Sequence, residues 1–156
     1  MTLVRIESAR IYCRAFKEND LTAVSSMMSD PDVMKYTSYQ IPLTKNEIKK
    51  KLDLWIQSNE IFAIINKENN SLIGWAMMKD ISLNDIEIGY MFLKEFWGQG
   101  FGLETAKILI NSVKEKSPSK KIIAKCHIDN QPSINILIKS GMIQVSSLAQ
   151  IITFST

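Results

Sequence analysis

The sequence predicts an α/β (α+β) fold, with one mixed, mostly antiparallel sheet of six to seven strands and helices on both faces. The first half contains short alternating apolar runs, and from residue 86 onward strand and helix patterns follow each other in turn. The long periodic helix between two of these strands indicates a right-handed parallel crossover. The 156 residues are enough for one packed core, so we expect a single domain over 1–156.

The predicted elements of the first half have recognisable ends. Residues 4–15 alternate as one strand, and strands at 60–67 and 71–80 are joined by a polar turn. Asp30-Pro31 has the residue types of an N-cap and a first helical position, and Thr44 to Glu47 forms a capping box. The residues expected in this part of the core are Ile6, Ile11, Cys13, Leu21, Val24, Met27, Met28, Ile48, Leu52, Trp55 and Ile56.

The second half alternates strands with helices. Strands are predicted at 86–93 and 122–128, helices at 101–116 and 130–140, and two short strands between 142 and 155. Each helix carries apolar residues three and four positions apart, which is the spacing of a helix with one buried face. The residues expected on those faces are Leu103, Ala106, Leu109, Ile110, Val113, Ile134, Leu137 and Ile138.

Composition argues against several classes of protein. Apolar residues make up 46% of the chain and charged residues 22%, which is typical of a soluble globular protein. A formal net charge of +3, scattered along the chain, does not indicate nucleic-acid binding. The sequence shows no apolar run of membrane length, no signal-peptide core and no metal-ligand spacing, so we expect a cytoplasmic protein without a metal. Cys13 and Cys126 fall in apolar strand patterns and are expected to be buried free thiols.

Three glycines, Gly98, Gly100 and Gly102, alternate where a strand pattern gives way to a helix pattern. Such a loop lets the backbone approach a ligand closely, and the first-turn amides of a helix favour phosphate. The spacing does not fit the dinucleotide fingerprint, because Leu103 or Thr105 stands where its third glycine is needed, and it does not fit the P-loop. On spacing alone, a phosphate site and a tight connection without a ligand are equally good interpretations.

Further motifs occur in order along the chain around this loop. They are Tyr12-Cys-Arg-Ala-Phe16, Asp30-Pro-Asp-Val-Met34, Glu87-Ile-Gly-Tyr90, Trp97-Gly-Gln-Gly-Phe-Gly-Leu-Glu-Thr-Ala106, Asn130-Gln-Pro-Ser133 and Lys139-Ser-Gly141. Together they resemble the GNAT superfamily of N-acetyltransferases from about residue 5 to residue 142. Within it they resemble the RimJ/RimL-like branch of ribosomal-protein alanine N-acetyltransferases.

The resemblance implies acetyl-CoA as the co-substrate. It implies that the two parallel strands splay apart at their ends, so that the pantetheine arm enters between them and pairs with the exposed backbone of residues 90–93. The diphosphate would lie on backbone amides of residues 99–104. The residues implied to contact acetyl-CoA are Met91, Phe92, Leu93, Gln99, Gly100, Phe101, Gly102, Leu103, Glu104, Asn130 and Ser133.

The resemblance also implies a reaction in which a neutral amine attacks the thioester, which calls for a base. Glu87 matches the recurrent glutamate of the family and is the expected base, acting through a water and contacting the acceptor. Pairing of Glu87 with a cation on a neighbouring strand is an equally good interpretation. His127, the only histidine, and solvent are the other candidates for the proton, and Tyr36 is expected in the acceptor pocket.

The oxyanion and the departing thiolate also need donors. A backbone N–H near Phe92 is implied for the oxyanion. Many superfamily members place a tyrosine, the donor to the thiolate, where this sequence has Leu137, which has no proton to donate. Ser133 is therefore the expected catalytic acid, and Asn130, which also has the residue type of a helix N-cap, is expected beside the cofactor.

The sequence thus predicts an acetyl-CoA-dependent N-acetyltransferase acting on a primary amine, such as a protein N-terminus, a polyamine or another small amine. The missing tyrosine at position 137 leaves a second function open, that of a non-catalytic domain that binds or senses acyl-CoA. An NAD-type dehydrogenase is disfavoured by the glycine spacing. The acceptor pocket is expected between the loop at 29–44 and the last strands, and pairing through those strands would give a homodimer.

Overall fold

The computed structural model gives residues 5–39 and 41–156 and contains one seven-stranded sheet. The strands are β1 Ile11–Arg14, β2 Ile61–Asn66, β3 Leu72–Asp80, β4 Asp85–Phe92, β5 Lys121–His127, β6 Ile143–Leu148 and β7 Ile151–Ser155. The helices are α1 Leu21–Met28, α2 Pro31–Met34, α3 Lys45–Gln57, α4 Phe101–Lys116 and α5 Gln131–Lys139. Within these described ranges, no helix is both long and apolar enough to cross a bilayer.

The strand order is β1-β2-β3-β4-β5-β7-β6, with β4 and β5 parallel and the other neighbouring pairs antiparallel. Ala63 and Ile65 pack with α1 and α3 on one face, whereas Ile64 packs with α4 and α5 on the other. This alternation follows from the period of two along a strand. The structure therefore confirms the predicted mixed sheet, the helices on both faces and the parallel crossover through α4.

The first strand is shorter than predicted, because the chain turns sharply between Ser8 and Ile11. The Ser8 amide donates to the Ile11 carbonyl over 2.9 Å, and the Cys13 amide donates to the Ile6 carbonyl over 2.8 Å. The chain before this turn folds back beside β1, and residue 4 of the predicted strand lies outside the described residues. The turn contains neither glycine nor proline, so its sequence has the alternation of a continuous strand.

Several of the predicted core positions are wrong. Leu103 is half-buried in the first turn of α4, where Phe101 is buried instead. Ile138 is 57% exposed, because consecutive helical residues lie about 100° apart and Leu137 occupies the buried face of α5. Cys126 is buried and Cys13 is half-buried, and both are free thiols as predicted. Other predicted core residues that prove half-buried are Leu21, Ile56 and Ile134.

The predicted helix starts at Asp30 and Thr44 are confirmed. The Asp30 carboxylate accepts from the Asp32 amide over 2.9 Å. The Glu47 amide donates to the Thr44 hydroxyl over 3.3 Å, and the Thr44 amide donates to the Glu47 carboxylate over 2.8 Å. These caps fix the starts of α2 and α3, and Tyr36 lies in the segment between the two helices.

Gly74 lets the end of β4 lie close against β3. It pairs with Phe92 across the strands, and the next amide, that of Leu93, donates to the Ile73 carbonyl over 2.9 Å. A Cβ at position 74 would lie 2.2 Å from the Met91 carbonyl oxygen, which is far inside van der Waals contact. Any side chain there would push the end of β4 away from the sheet.

We expect Gly74→Ala to lower the free energy of unfolding by about 2–4 kcal/mol, because backbone must move to admit the methyl group. The matched control is Gly89→Ala on β4, whose Cβ would meet only the flexible Met77 Cε at 3.2 Å and the Trp75 ring. That control should lower the free energy of unfolding by less than about 1 kcal/mol. Urea denaturation midpoints measure both, and equal losses would contradict this account of Gly74.

Candidate active site

The parallel strands β4 and β5 pair over only part of their length. Their register runs from Asp85↔Lys121 to Ile88↔Ala124. Beyond Ile88, β4 continues against β3, whereas β5 continues against β7 on its other edge. The two strands therefore leave a gap between them, and the predicted splay is confirmed.

The glycine loop lies between this gap and α4. Gly98 and Gly100 have φ angles of 72° and 84°, in the left-handed region that favours glycine. Gly100 is the N-cap of α4, and the first helical hydrogen bond runs from the Glu104 amide to the Gly100 carbonyl over 3.1 Å. The three amides before it, those of residues 101–103, have no partner within the helix. This is the geometry of an anion-binding helix start.

Side chains hold the loop against the end of β4. The Trp97 indole donates to the Phe92 carbonyl over 3.1 Å, and the Gln99 side-chain amide donates to the Glu95 carbonyl over 2.8 Å. A Cβ at Gly102 would lie 2.6 Å from Ile136 Cδ1 and 3.9 Å from the Phe92 ring. β4, α4 and α5 therefore meet at this point, which brings the strand, loop and helix motifs of the sequence together.

The Glu104 side chain turns away from the loop, toward the N-terminal turn. Its Oε1 accepts from the Ser8 hydroxyl over 2.5 Å and from the Arg10 amide over 3.1 Å, and its Oε2 accepts from Arg10 Nε over 2.7 Å. Partial burial raises the pKa of the Glu104 carboxyl, but these donors outweigh it and hold that pKa below its ordinary value. Glu104 is therefore an ionised carboxylate at neutral pH.

Arg10 is a residue at this loop that the sequence analysis missed. Its Nη1 donates to the Gln99 carbonyl over 3.0 Å, and its guanidinium carbon lies 4.1 Å from the centre of the Phe101 ring. Arg10 and Glu104 are 94 positions apart in the chain, and no local pattern connects them. Only the fold places the N-terminal turn beside the start of α4.

Glu87 and Lys125 lie on the sheet face covered by α1 and α3, opposite to Ile88 and Cys126. Glu87 Oε2 lies 3.8 Å from Lys125 Nζ, and the Glu87 side chain is 22% exposed. The cation on a neighbouring strand that the sequence analysis considered is therefore present. This separation is longer than a hydrogen bond, so Lys125 does not occupy a hydrogen-bonding position of the carboxylate.

Tyr36 and His127 stack at the end of β5, with ring centres 5.2 Å apart. His127 Nδ1 accepts from the Asp129 amide over 3.1 Å, so this nitrogen is occupied as an acceptor. His127 lies two residues beyond Lys125 and points to the same face as Glu87. The two rings therefore stand at the mouth of the gap on the Glu87 side.

Four side chains lie on the opposite face, near the start of α5: Tyr90, Cys126, Asn130 and Ser133. The Asn130 carboxamide caps α5 by accepting from the Ser133 amide over 3.3 Å. Burial raises the pKa of Tyr90 to about 12, and the nearby Ser133 hydroxyl opposes this rise. Burial likewise raises the pKa of Cys126, again opposed by Ser133. The Tyr90 hydroxyl is buried without a hydrogen-bond partner in the described part of the chain.

The sequence profile described as "Acetyltransferase (GNAT) domain" matches residues 10–143, which include the strand, the loop and the start of α5. The chain belongs to the GNAT acetyltransferase family. It is similar to the N-acetyltransferase p20 of Bacillus licheniformis, at 31% identity over 82% of this chain and 76% of that protein. It is also similar to the N-acetyltransferase YnaD of Bacillus subtilis, at 28% identity over 89% and 82%. These findings identify the chain as an N-acetyltransferase.

The three-dimensional fold agrees with this family. A GNAT-family acetyltransferase from Bacillus anthracis superposes with a TM-score of 0.90, covering 98% of each chain at 22% identity. RimL and a spermidine N-acetyltransferase superpose equally well on this chain, both with a TM-score of 0.79, so the RimJ/RimL-like branch stays a prediction. The prediction of the GNAT family is confirmed.

We expect Gly100→Val to weaken CoA binding by at least about tenfold, which corresponds to roughly 1.4 kcal/mol. A Cβ there would lie 3.3 Å from Arg10 Nη2 on a residue with φ of 84°, so the loop must change shape. The control is Gly141→Val, which carries a similar φ of 94° with nothing within 4 Å of its Cβ. Isothermal titration with CoA measures both, and equal affinities in the two variants would contradict the loop assignment.

Proposed function

We propose that this chain transfers the acetyl group of acetyl-CoA to a primary amine by direct attack of the amine on the thioester. The observation that supports this most is the gap between β4 and β5, which opens beside the unpaired first-turn amides of α4. A ligand with an extended arm and a diphosphate needs both features side by side. Acetyl-CoA supplies the activated acetyl thioester.

The residues around the gap suit this ligand. The amides of the α4 first turn would hold the diphosphate, while the backbone at the end of β4 would pair with the extended arm. Glu104 would contribute through the hydrogen bonds of its side chain, because its amide already donates within the helix. The proposed contact set is Met91, Phe92, Leu93, Gln99, Gly100, Phe101, Gly102, Leu103, Glu104, Asn130 and Ser133.

Glu87 is the proposed base. Its carboxylate lies 3.8 Å from Lys125 Nζ and could accept a proton from the amine directly or through one water. Tyr36 and His127 stand on the same side of the sheet and would line the approach of the acceptor. The proton of the acceptor's ammonium group would thus leave on the sheet face opposite to the start of α5.

Ser133 is the proposed acid that protonates the departing thiolate. Leu137, where other family members have a tyrosine, is buried and has no donor. The Tyr90 hydroxyl lies near Ser133, is buried and lacks a partner within the described residues, so it is available to replenish or replace the Ser133 proton. Two hydroxyls from β4 and α5 would then serve where one tyrosine serves elsewhere.

The acceptor is proposed to be a protein N-terminus or a small amine. A spermidine N-acetyltransferase from Vibrio cholerae, in complex with CoA and spermine, shares the fold at 16% identity with a TM-score of 0.79 over 95% of this chain and 94% of its own. RimL, a ribosomal L7/L12 α-N-protein acetyltransferase, shares it at 18% identity with the same TM-score over 97% and 93%. These likenesses establish the fold and suggest amine acceptors of either kind.

A cytoplasmic location and a homodimer belong to the same proposal. The strand β6 is exposed along its whole length and carries Ile143 and Leu148, which are 68% and 79% exposed. An apolar edge strand of this kind is a suitable pairing surface for a second copy. Sedimentation equilibrium at several protein concentrations would detect the dimer.

Release of the CoA thiol from acetyl-CoA, with a panel of N-terminal peptides, polyamines and other small amines, tests the function. We expect release with at least one acceptor class and acetylation of its amine by mass spectrometry. Tight binding of CoA without release on any acceptor would favour the alternative, a domain that senses acyl-CoA.

We expect Glu87→Gln to lower kcat/KM at neutral pH by about tenfold to a hundredfold and to leave CoA affinity within about threefold, because it removes a base without touching the loop. The matched control is Glu115→Gln, which makes the same charge change on an exposed position of α4. A pH–rate profile of Glu87→Gln identical to that of the wild type would remove Glu87 from the mechanism.

We expect Tyr90→Phe to keep or slightly raise the free energy of unfolding, because it removes a buried hydroxyl that lacks a partner. Its kcat should fall, and the double variant with Ser133→Ala should fall further than either single variant. Thermal denaturation and steady-state kinetics provide the measurements. Unchanged kcat in all three variants would exclude both hydroxyls as proton donors.

A further inference from the structure

The start of α4 carries a carboxylate close to the place proposed for an anion. Glu104 is the fourth residue of α4, and its side chain is only 17% exposed. An acidic group in the first turn stabilises a helix, but the same charge repels a diphosphate bound at that helix start. Partial burial strengthens this repulsion, because solvent screens it less. A site of this kind needs the Glu104 charge to be neutralised.

Arg10 meets this requirement. Its Nε and Nη2 each lie 2.7 Å from Glu104 Oε2, which makes a paired contact of guanidinium with carboxylate. The Arg10 amide and the Ser8 hydroxyl complete the shell of donors around the same carboxylate, at 3.1 Å and 2.5 Å. The charge of Glu104 is thus directed into the N-terminal turn rather than toward the loop.

The same guanidinium also fixes the loop. Nη1 donates to the Gln99 carbonyl over 3.0 Å, and the Phe101 ring supports the guanidinium face at 4.1 Å. These two residues lie on either side of Gly100, whose missing side chain leaves room for Nη2. Because the Gln99 carbonyl points toward Arg10, its oxygen is directed away from the place proposed for the anion. The Arg10 side chain is still 45% exposed, so part of its positive charge faces solvent beside the loop.

We propose that Arg10 is a positioning residue of the diphosphate site, which masks the Glu104 carboxylate and holds the loop with its amides toward the anion. This inference rests on the proposed function. If Arg10 were only a structural contact, its loss would weaken CoA binding whatever the charge at position 104. We expect instead that, without Arg10, the unmasked charge of Glu104 is what weakens CoA binding. Removing that charge as well should then restore much of the affinity.

Four variants test this with CoA as the probe: Arg10→Met, Arg10→Lys, Glu104→Gln and the double variant Arg10→Met/Glu104→Gln. Isothermal titration should show Arg10→Met weakened by about tenfold or more, a loss of roughly 1.4 kcal/mol. The double variant should recover to within about threefold of the wild type. The CoA affinity of Arg10→Lys, which keeps a charge but not the paired contact, should lie between those of Arg10→Met and the double variant.

Two further measurements separate masking from a general loss of structure. In Arg10→Met the KM for acetyl-pantetheine, which lacks the diphosphate, should change far less than the dissociation constant for CoA. The matched control is Arg5→Met, which removes an arginine that pairs with Glu7 at 3.5 Å on the surface, and it should bind CoA as the wild type does. Raising the salt concentration should narrow the gap between Arg10→Met and the wild type, because screening weakens the repulsion.

The inference is overturned if Arg10→Met binds CoA as tightly as the wild type, or if the double variant binds no better than Arg10→Met. Either result, with a wild type that binds CoA, would leave the proposed function standing. A wild-type protein without affinity for CoA would overturn both together. If Arg10→Met does not fold, Arg10→Lys and Arg10→Lys/Glu104→Gln replace it in the same comparison.

Discussion

Four backbone pairs join β4 to β5, and the rest of the site depends on the fact that they end at Ile88 and Ala124. Beyond them β4 is held by β3 and β5 by β7, so neither strand can close toward the other without losing its own partner. Peptide groups that face such a gap need partners from elsewhere. On the proposed function, the extended arm of acetyl-CoA provides them, in the manner of a strand added to a sheet.

On the proposed function, the alternation of side chains along these two strands separates the two proton transfers. Glu87 and Lys125 point to the face covered by α1 and α3, while Tyr90 and Cys126 point to the face covered by α4 and α5. A base for the amine and an acid for the thiolate can therefore work from opposite sides of one gap.

Most elements could be predicted because their signals are local. The capping box at Thr44 and the helix at 101–116 are each specified by a few neighbouring residues. The turn before Ile11 was missed because it carries no turn residue, and Arg10 was missed with it. The Tyr90 hydroxyl was also missed. Its proposed role depends on Ser133, a residue of another element, and no periodicity in one sequence encodes such a proximity.

Backbone amide shifts of the isotope-labelled protein during titration with CoA show where the coenzyme binds. On the proposed function, the α4 first turn grips the diphosphate while the end of β4 receives the extended arm. The account predicts the largest shift changes at Phe101, Gly102 and Leu103, together with clear changes over 89–92. Large changes confined to other elements, with these amides unmoved at saturating CoA, would contradict it.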